Sequence, residues 1–140
     1  MSQPGPYAPS PQHWVREEVE HYERTGTGFK GRPVIVLATT GAVTGLLRKT
    51  PLMRVEHAGS YAAVASQAGA ATHPAWYRNV LADPQVTLQD GRTVHRLLAR
   101  ELTGAERSRW WSRACTVFAS YAEYQRATDR QIPVLLLEPR

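Results

Sequence analysis

The chain is 140 residues long, one domain's worth, and its 42% hydrophobic content suffices for a single buried core. That excludes a disordered or collagen-like chain, and no stretch approaches the ~20 apolar residues that span a bilayer. Of its 17 basic residues, set against 12 acidic ones, all but Lys30 and Lys49 are Arg, and they are dispersed without a basic run; the net charge of +5 therefore favours small anionic ligands over nucleic acid.

Residues 1–9 hold three Pro and one Gly and predict a mobile tail before a single domain over 10–140. This tail pairs no charged segment with an apolar one, so no signal peptide is expected, and the chain is expected in the cytoplasm. Ser10 and Pro11 read as the N-cap and first position of an amphipathic helix over 11–24, with Val15, Val19 and Tyr22 at i, i+4 and i+7. Its Trp14/Val15/Val19/Tyr22 face could pack on the core, cover a ligand pocket or make a peripheral membrane contact. Gly26 and Gly28 end the helix.

From Val34 the periodicity changes to that of strands. Pro33–Thr40 is β-branched, Gly41–Gly45 is a turn, and Leu47–His57 is a second strand in which Pro51 marks a bulge or an edge. Tyr61–Ser66 is a third strand, followed by the small-residue loop 67–72 and a short helix that Pro74 opens. Pro84–Gln89 and Thr93–Leu102 flank Asp90-Gly91, the strongest hairpin signal in the chain. Two capping boxes, Thr103/Glu106 and Ser120/Glu123, predict two helices, and Ile132–Leu137 is a closing strand. Hairpin-joined strands with few crossovers predict an α+β fold: a mostly antiparallel barrel with helices on its flank.

Several motifs carry little. Gly26-Thr-Gly28-Phe-Lys-Gly31 matches the dinucleotide fingerprint, but a helix precedes it and a strand follows, the reverse of what a bound pyrophosphate needs. His13, Glu17 and His21 span ~12 Å of helix, too far for all three to meet one metal ion. Ser66 and His73 lack a nucleophile elbow. Cys115 sits on an apolar helical face and reads as an inert buried thiol.

Three features point to a ligand. Arg48 and Lys49 adjoin the Gly41–Gly45 turn, where fixed cations could hold a phosphate. The loop from Ser66 to Gly69 is small enough for backbone N–H groups to approach an anion. Tyr121 and Tyr124, at i and i+3, form an aromatic wall on one helical face.

Together with Leu-Ala-Thr-Thr-Gly41, Arg48-Lys-Thr-Pro-Leu-Met-Arg-Val-Glu-His57, His73-Pro-Ala-Trp-Tyr-Arg-Asn79 and Tyr121-Ala-Glu-Tyr-Gln-Arg-Ala-Thr-Asp-Arg-Gln-Ile-Pro-Val134, these residues resemble the deazaflavin-dependent nitroreductase family of split β-barrel oxidoreductases. The resemblance covers roughly residues 30–139. It implies coenzyme F420, an 8-hydroxy-5-deazaflavin, as hydride donor to electron-poor organic substrates such as activated C=C or nitro compounds. It also implies cofactor contacts from Arg48, Lys49, Thr50, Pro51, Ala65, Ser66, Gln67, Trp76 and Tyr77. Tyr121, Tyr124 and Ser66 fall on the catalytic, substrate-facing side.

The chain departs from that pattern at Ala42, Val43 and Leu46 and in the loop Gln67–Thr72, where relatives carry basic residues or a double glycine. Ala42, Val43 and Gln67 favour the alternative of a non-catalytic or differently loaded pocket in the same barrel, holding FMN, a fatty acid or a tetrapyrrole. The sequence leaves the oligomeric state open.

Overall fold

The computed structural model describes residues 4–140; residues 1–3, the start of the expected tail, lie outside the described residues. The elements run α1 (His13–Thr25), β1 (Val34–Thr40), β2 (Leu47–Met53), β3 (Glu56–His57), β4 (Ser60–Val64), α2 (Ala75–Ala82), β5 (Gln85–Asp90), β6 (Thr93–Glu101), α3 (Gly104–Val117), α4 (Ser120–Arg126) and β7 (Val134–Pro139). The strands form one seven-stranded sheet in the order β2-β1-β5-β6-β7-β4-β3, every neighbouring pair antiparallel.

That order explains the barrel. Strands β2 and β3 occupy opposite edges of the sheet, yet only Arg54 and Val55 separate them in the chain. The three Cα–Cα steps from Met53 to Glu56 span at most ~11 Å, so the two edges must curl toward each other. The stretch expected as one strand, Leu47–His57, is therefore split where the chain steps across the seam. Backbone bonds from Arg54 N to the Pro33 carbonyl (2.8 Å) and from Ala62 N to the Val55 carbonyl (2.9 Å) hold the step. Pro51 lies on the edge strand β2, where its missing N–H costs no ladder bond.

Apolar residues fill the barrel and cover both of its faces. Ile35, Leu37, Leu88, Leu97, Leu135 and Leu137 point inward, and Trp76, Tyr77 and Val80 of α2 plug one end. On the outer face, Val34 and Val36 pack against Val19 and Tyr22 of α1. Val64, Val134 and Leu136 pack against Trp110 and Ala114 of α3 and Tyr121 of α4. Burial on both faces is why β1 and β7 are continuous apolar runs rather than alternating ones. Each such side chain contributes about 1.5–3 kcal/mol on burial. Across the barrel, Tyr61 Oη donates to Asp90 Oδ2 at 2.6 Å, and Arg54 Nε donates to both Asp90 oxygens at 3.0 Å.

Helix α1 resolves the three alternatives for its apolar face. Val15, Val19 and Tyr22 are buried, and Tyr22 Oη accepts a 2.7 Å bond from Gly91 N at the β5–β6 hairpin. A face already covered by the sheet does not support the membrane contact; Trp14 alone of that group is exposed. The helix begins two residues later than expected, because Ser10 Oγ accepts from Gln12 N (3.1 Å) in a turn before it. Residues 5–8 lie along the start of β2. Gly5 N donates to the Gly45 carbonyl, Leu47 N to the Pro6 carbonyl and Ala8 N to the Leu47 carbonyl, strapping the segment to the start of β2.

Neither capping box forms. Thr103 is the N-cap of α3 but makes no side-chain cap, since Glu106 is held instead by a two-point pairing with Arg100 (2.8 and 2.7 Å). Ser120 is already inside α4. The amides of Tyr121 and Ala122 bond to the carbonyls of Phe118 and Ala119, which leaves the serine no orphan donor to cap.

Candidate functional site

The barrel seam opens as a groove between β2, the loop after β4, the start of α1 and helix α4. It has two adjoining lobes, of about 310 and 350 Å³, within the size range of small-molecule sites. Gln12, Val15, Thr50, Gln67, Pro74 and Trp76 line both.

The first lobe carries two cations, Arg48 and Lys49, beside Thr39, Thr50 and Asn79. Arg48 and Thr50 alternate along β2 onto the same face as Thr39, opposite in register to Arg48. Among the described residues Arg48 has no ion-pair partner, so its guanidinium is available to an anion. Asn79 of α2 shapes the lobe: its Oδ1 accepts from Ala42 N (2.9 Å) and its Nδ2 donates to Thr39 Oγ1 (3.2 Å). It thus ties the β1–β2 turn to the helix. Lys49 borders the lobe, but its ammonium pairs with Glu23 of α1 and lies 4.8 Å from the centre of the Tyr7 ring. Adjacent strand residues face opposite ways, which is why the two cations do not converge.

The second lobe is aromatic. Phe118, Tyr121 and Tyr124 form an aromatic wall, and Trp14, Met53, Val64 and Ser66 also line the lobe. Phe118 and Tyr121 meet edge-to-face at 5.0 Å, and the Tyr121 and Tyr124 rings are 6.3 Å apart. Tyr121 is buried, and desolvation first, then the neighbouring Tyr124, pushes its pKa well above the ordinary phenol value. It is therefore a neutral hydrogen-bond donor at any physiological pH. Burial likewise pushes up the Cys115 thiol, which packs behind this wall, against the reactivity a nucleophile would need.

Between the lobes runs the loop Ser66–Gly69. Gln67, Ala68 and Gly69 adopt φ of +44°, +53° and +80° in succession, and the first two carry a cost of roughly 1–2 kcal/mol each. At Gly69 a Cβ would sit 3.1 Å from the Cα and carbonyl oxygen of Tyr124, so glycine permits the loop to touch α4. Arg130 holds this shape. Its Nε donates to the Ala70 carbonyl (2.9 Å), Nη1 to Ala65 (3.1 Å) and Nη2 to Ser66 (2.8 Å). Nη1 also lies 3.0 Å from His73 Nδ1, so His73 faces Arg130 and not Ser66.

The groove thus gathers Arg48, Thr50, Pro51, Ser66, Gln67, Trp76, Tyr121 and Tyr124 from the residues singled out in the sequence. It does not gather Tyr77 or Ala65. Tyr77 follows Trp76 by about 100° of helix rotation, so it points into the barrel, where its hydroxyl donates to Glu101 at 2.5 Å. Ala65 is fully buried and contributes a carbonyl to Arg130. Sequence reasoning passed over Asn79 and Arg130, although both lie in the quoted motifs; their roles are contacts 37 and 60 residues away.

Residues 14–139 match the family model described as F420H(2)-dependent quinone reductase. An F420H(2)-dependent quinone reductase of Mycobacterium tuberculosis is 33% identical over 77% of this chain and 74% of its own length. A solved structure of an F420-H2 dependent reductase, FDR-A, is 52% identical with a TM-score of 0.73, covering 76% of this chain and 95% of its own. A second, described as a domain-swapped dimer, is 49% identical with a TM-score of 0.75, covering 92% of this chain and all of its own.

Proposed function

The chain belongs to the F420H(2)-dependent quinone reductase family, and from that premise we propose that it reduces electron-poor organic acceptors, quinones first, with reduced coenzyme F420. The resemblance drawn from the sequence was to nitroreductases; the matching family carries the quinone name, and activated C=C and nitro compounds belong to the proposal as further acceptors. One observation carries the reading: a single groove joins a lobe with an unpaired arginine to a lobe walled by phenols.

The residues present fit the cofactor. Arg48 supplies a free guanidinium for an anionic tail, and the positive-φ loop exposes its backbone without bulky side chains. Ala42 and Val43 are exposed and bring no charge to the turn, so Arg48 is the principal tail contact and Thr50 and Gln67 assist it. Trp76 is buried between the two lobes and forms the floor on which a flat ring system rests. Bound in its reduced form, coenzyme F420 supplies a hydride.

The acceptor lobe must then hold that acceptor flat and receive the negative charge it gains. Tyr121 and Tyr124 present phenol hydroxyls, and a hydroxyl aimed at a developing oxyanion stabilises it by hydrogen bonding. Ser66, which lines the same lobe, offers a further hydroxyl. Trp14 and Phe118 narrow the lobe and limit water there, which strengthens those hydrogen bonds. The final proton comes from solvent at the open mouth.

Titrating the full chain into F420 and following deazaflavin fluorescence tests the binding half directly. Saturable quenching, with FMN failing to compete, is the expected result. Equal or tighter FMN binding would overturn the reading in favour of a flavin-loaded barrel.

A further inference from the structure

The aromatic lobe contains one charged side chain, Arg32, and no carboxylate among the described residues that line it. Arg32 lies at the end of the glycine-rich turn whose dinucleotide-like spacing led nowhere as a cofactor motif. The turn has another purpose in this fold. Gly28 is buried so tightly that a Cβ would sit 2.8 Å from the Arg32 carbonyl and 3.1 Å from its Cβ. Lys30 completes the tight turn with φ of +53°.

The turn is anchored at two points by one residue of α1. Glu18 is completely buried. Its Oε2 accepts from Phe29 N at 3.1 Å, and its Oε1 lies 3.3 Å from Arg32 Nη1. Oε1 has no hydrogen-bond partner, so the pair is an electrostatic contact and not a two-point fork. Among the described residues Arg32 is the one ion-pair partner of this buried carboxylate, and such a pair is costly to separate, so Glu18 fixes where the guanidinium sits. The Arg32 side chain nevertheless remains 47% exposed, with most of its five donors uncommitted. Its charge is felt at Tyr121, where it opposes the effect of burial.

We propose that Arg32, fixed by Glu18, is a specificity-determining residue that selects flat acceptors bearing an anionic substituent, such as a carboxylate, sulfonate or ionised hydroxyl. This rests on the reading that the aromatic lobe receives the acceptor. The acceptor's ring lies along the phenol wall, and its anionic substituent meets the guanidinium at the lobe's rim. A neutral acceptor gains only the ring contacts. Arg32 takes no part in hydride transfer.

The test compares 1,4-naphthoquinone-2-sulfonate with neutral 2-methyl-1,4-naphthoquinone on the full chain saturated with oxidised F420. Dissociation constants come from tryptophan quenching, and KM and kcat from F420H2 oxidation. Arg32→Gln should weaken sulfonate binding about tenfold and raise its KM alike, with kcat and the neutral quinone's constants changed less than about twofold. Arg32→Lys keeps the charge and should recover most of the loss, while Arg109→Gln, on the exposed face of α3, should change neither quinone. If Arg32→Gln unfolds because Glu18 is stranded, the wild type still decides: added salt should weaken the sulfonate and spare the neutral compound. Equal losses for both quinones, or none, overturn the assignment. If neither quinone is reduced yet the binding selectivity persists, the reductase reading fails and the role of Arg32 stands.

Discussion

Replacing Arg130 with methionine keeps much of the side chain's length and removes all of its donors. The carbonyls of Ala65 and Ser66, both on buried residues, lose their guanidinium partners at 3.1 and 2.8 Å, and the Ala70 carbonyl loses a third at 2.9 Å. A buried acceptor left unpaired costs about 1–3 kcal/mol. Water can reach Ala70, so two acceptors dominate and the expected loss is about 2–6 kcal/mol. The loop also loses what balances the left-handed Gln67 and Ala68, and it should relax away from the groove. Urea unfolding of Arg130→Met should show a lower midpoint with an unchanged slope, and F420 binding should weaken about tenfold. A stability change below about 0.5 kcal/mol together with an unchanged dissociation constant would refute the role given to Arg130.

Arg48→Ala should weaken F420 binding by about 1.5–3 kcal/mol, the range for hydrogen bonds to a charged group, and an unchanged constant at physiological salt would remove Arg48 from the site. Tyr124→Phe deletes one donor and keeps the ring, so turnover should fall about tenfold, or ~1.4 kcal/mol, with cofactor affinity intact. Wild-type turnover in the Tyr121→Phe/Tyr124→Phe double variant would show that the phenols only line the lobe. The Tyr77 hydroxyl has its pKa pushed from 10.0 up to about 12, by burial first and the Glu101 bond second. Its contribution to stability is therefore whole below pH 10 and lost as pH rises toward 12. Alkaline titration of the unfolding free energy should be flatter in Tyr77→Phe, and identical curves would count against the Tyr77–Glu101 bond.

Local pattern carried the architecture well. Asp90-Gly91 announced the β5–β6 hairpin, a β-branched run announced β1 and an apolar run β7, because turn chemistry and strand propensity act over a few residues. The phenol pair was legible for the same reason, since i and i+3 on a helix must share a face. The seam was not: Leu47–His57 looks continuous until the two sheet edges have to meet. Strand alternation would have separated Arg48 from Lys49, and helix rotation would have separated Trp76 from Tyr77, had either been applied to the adjacent pairs. Arg130, Asn79 and the Glu18–Arg32 pair act through distant backbone and side chains, which no local pattern records.

The central claim is hydride transfer from reduced F420 within the seam. Single-turnover oxidation of F420H2 by 2-methyl-1,4-naphthoquinone, with the transferable hydrogen replaced by deuterium, tests it most directly. Stoichiometric oxidation of F420H2 should require the protein, be slowed by the deuterium, and be weakened by Arg48→Ala through binding and by Tyr124→Phe through rate. Tight F420 binding with no protein-dependent reduction of the quinone would overturn that transfer.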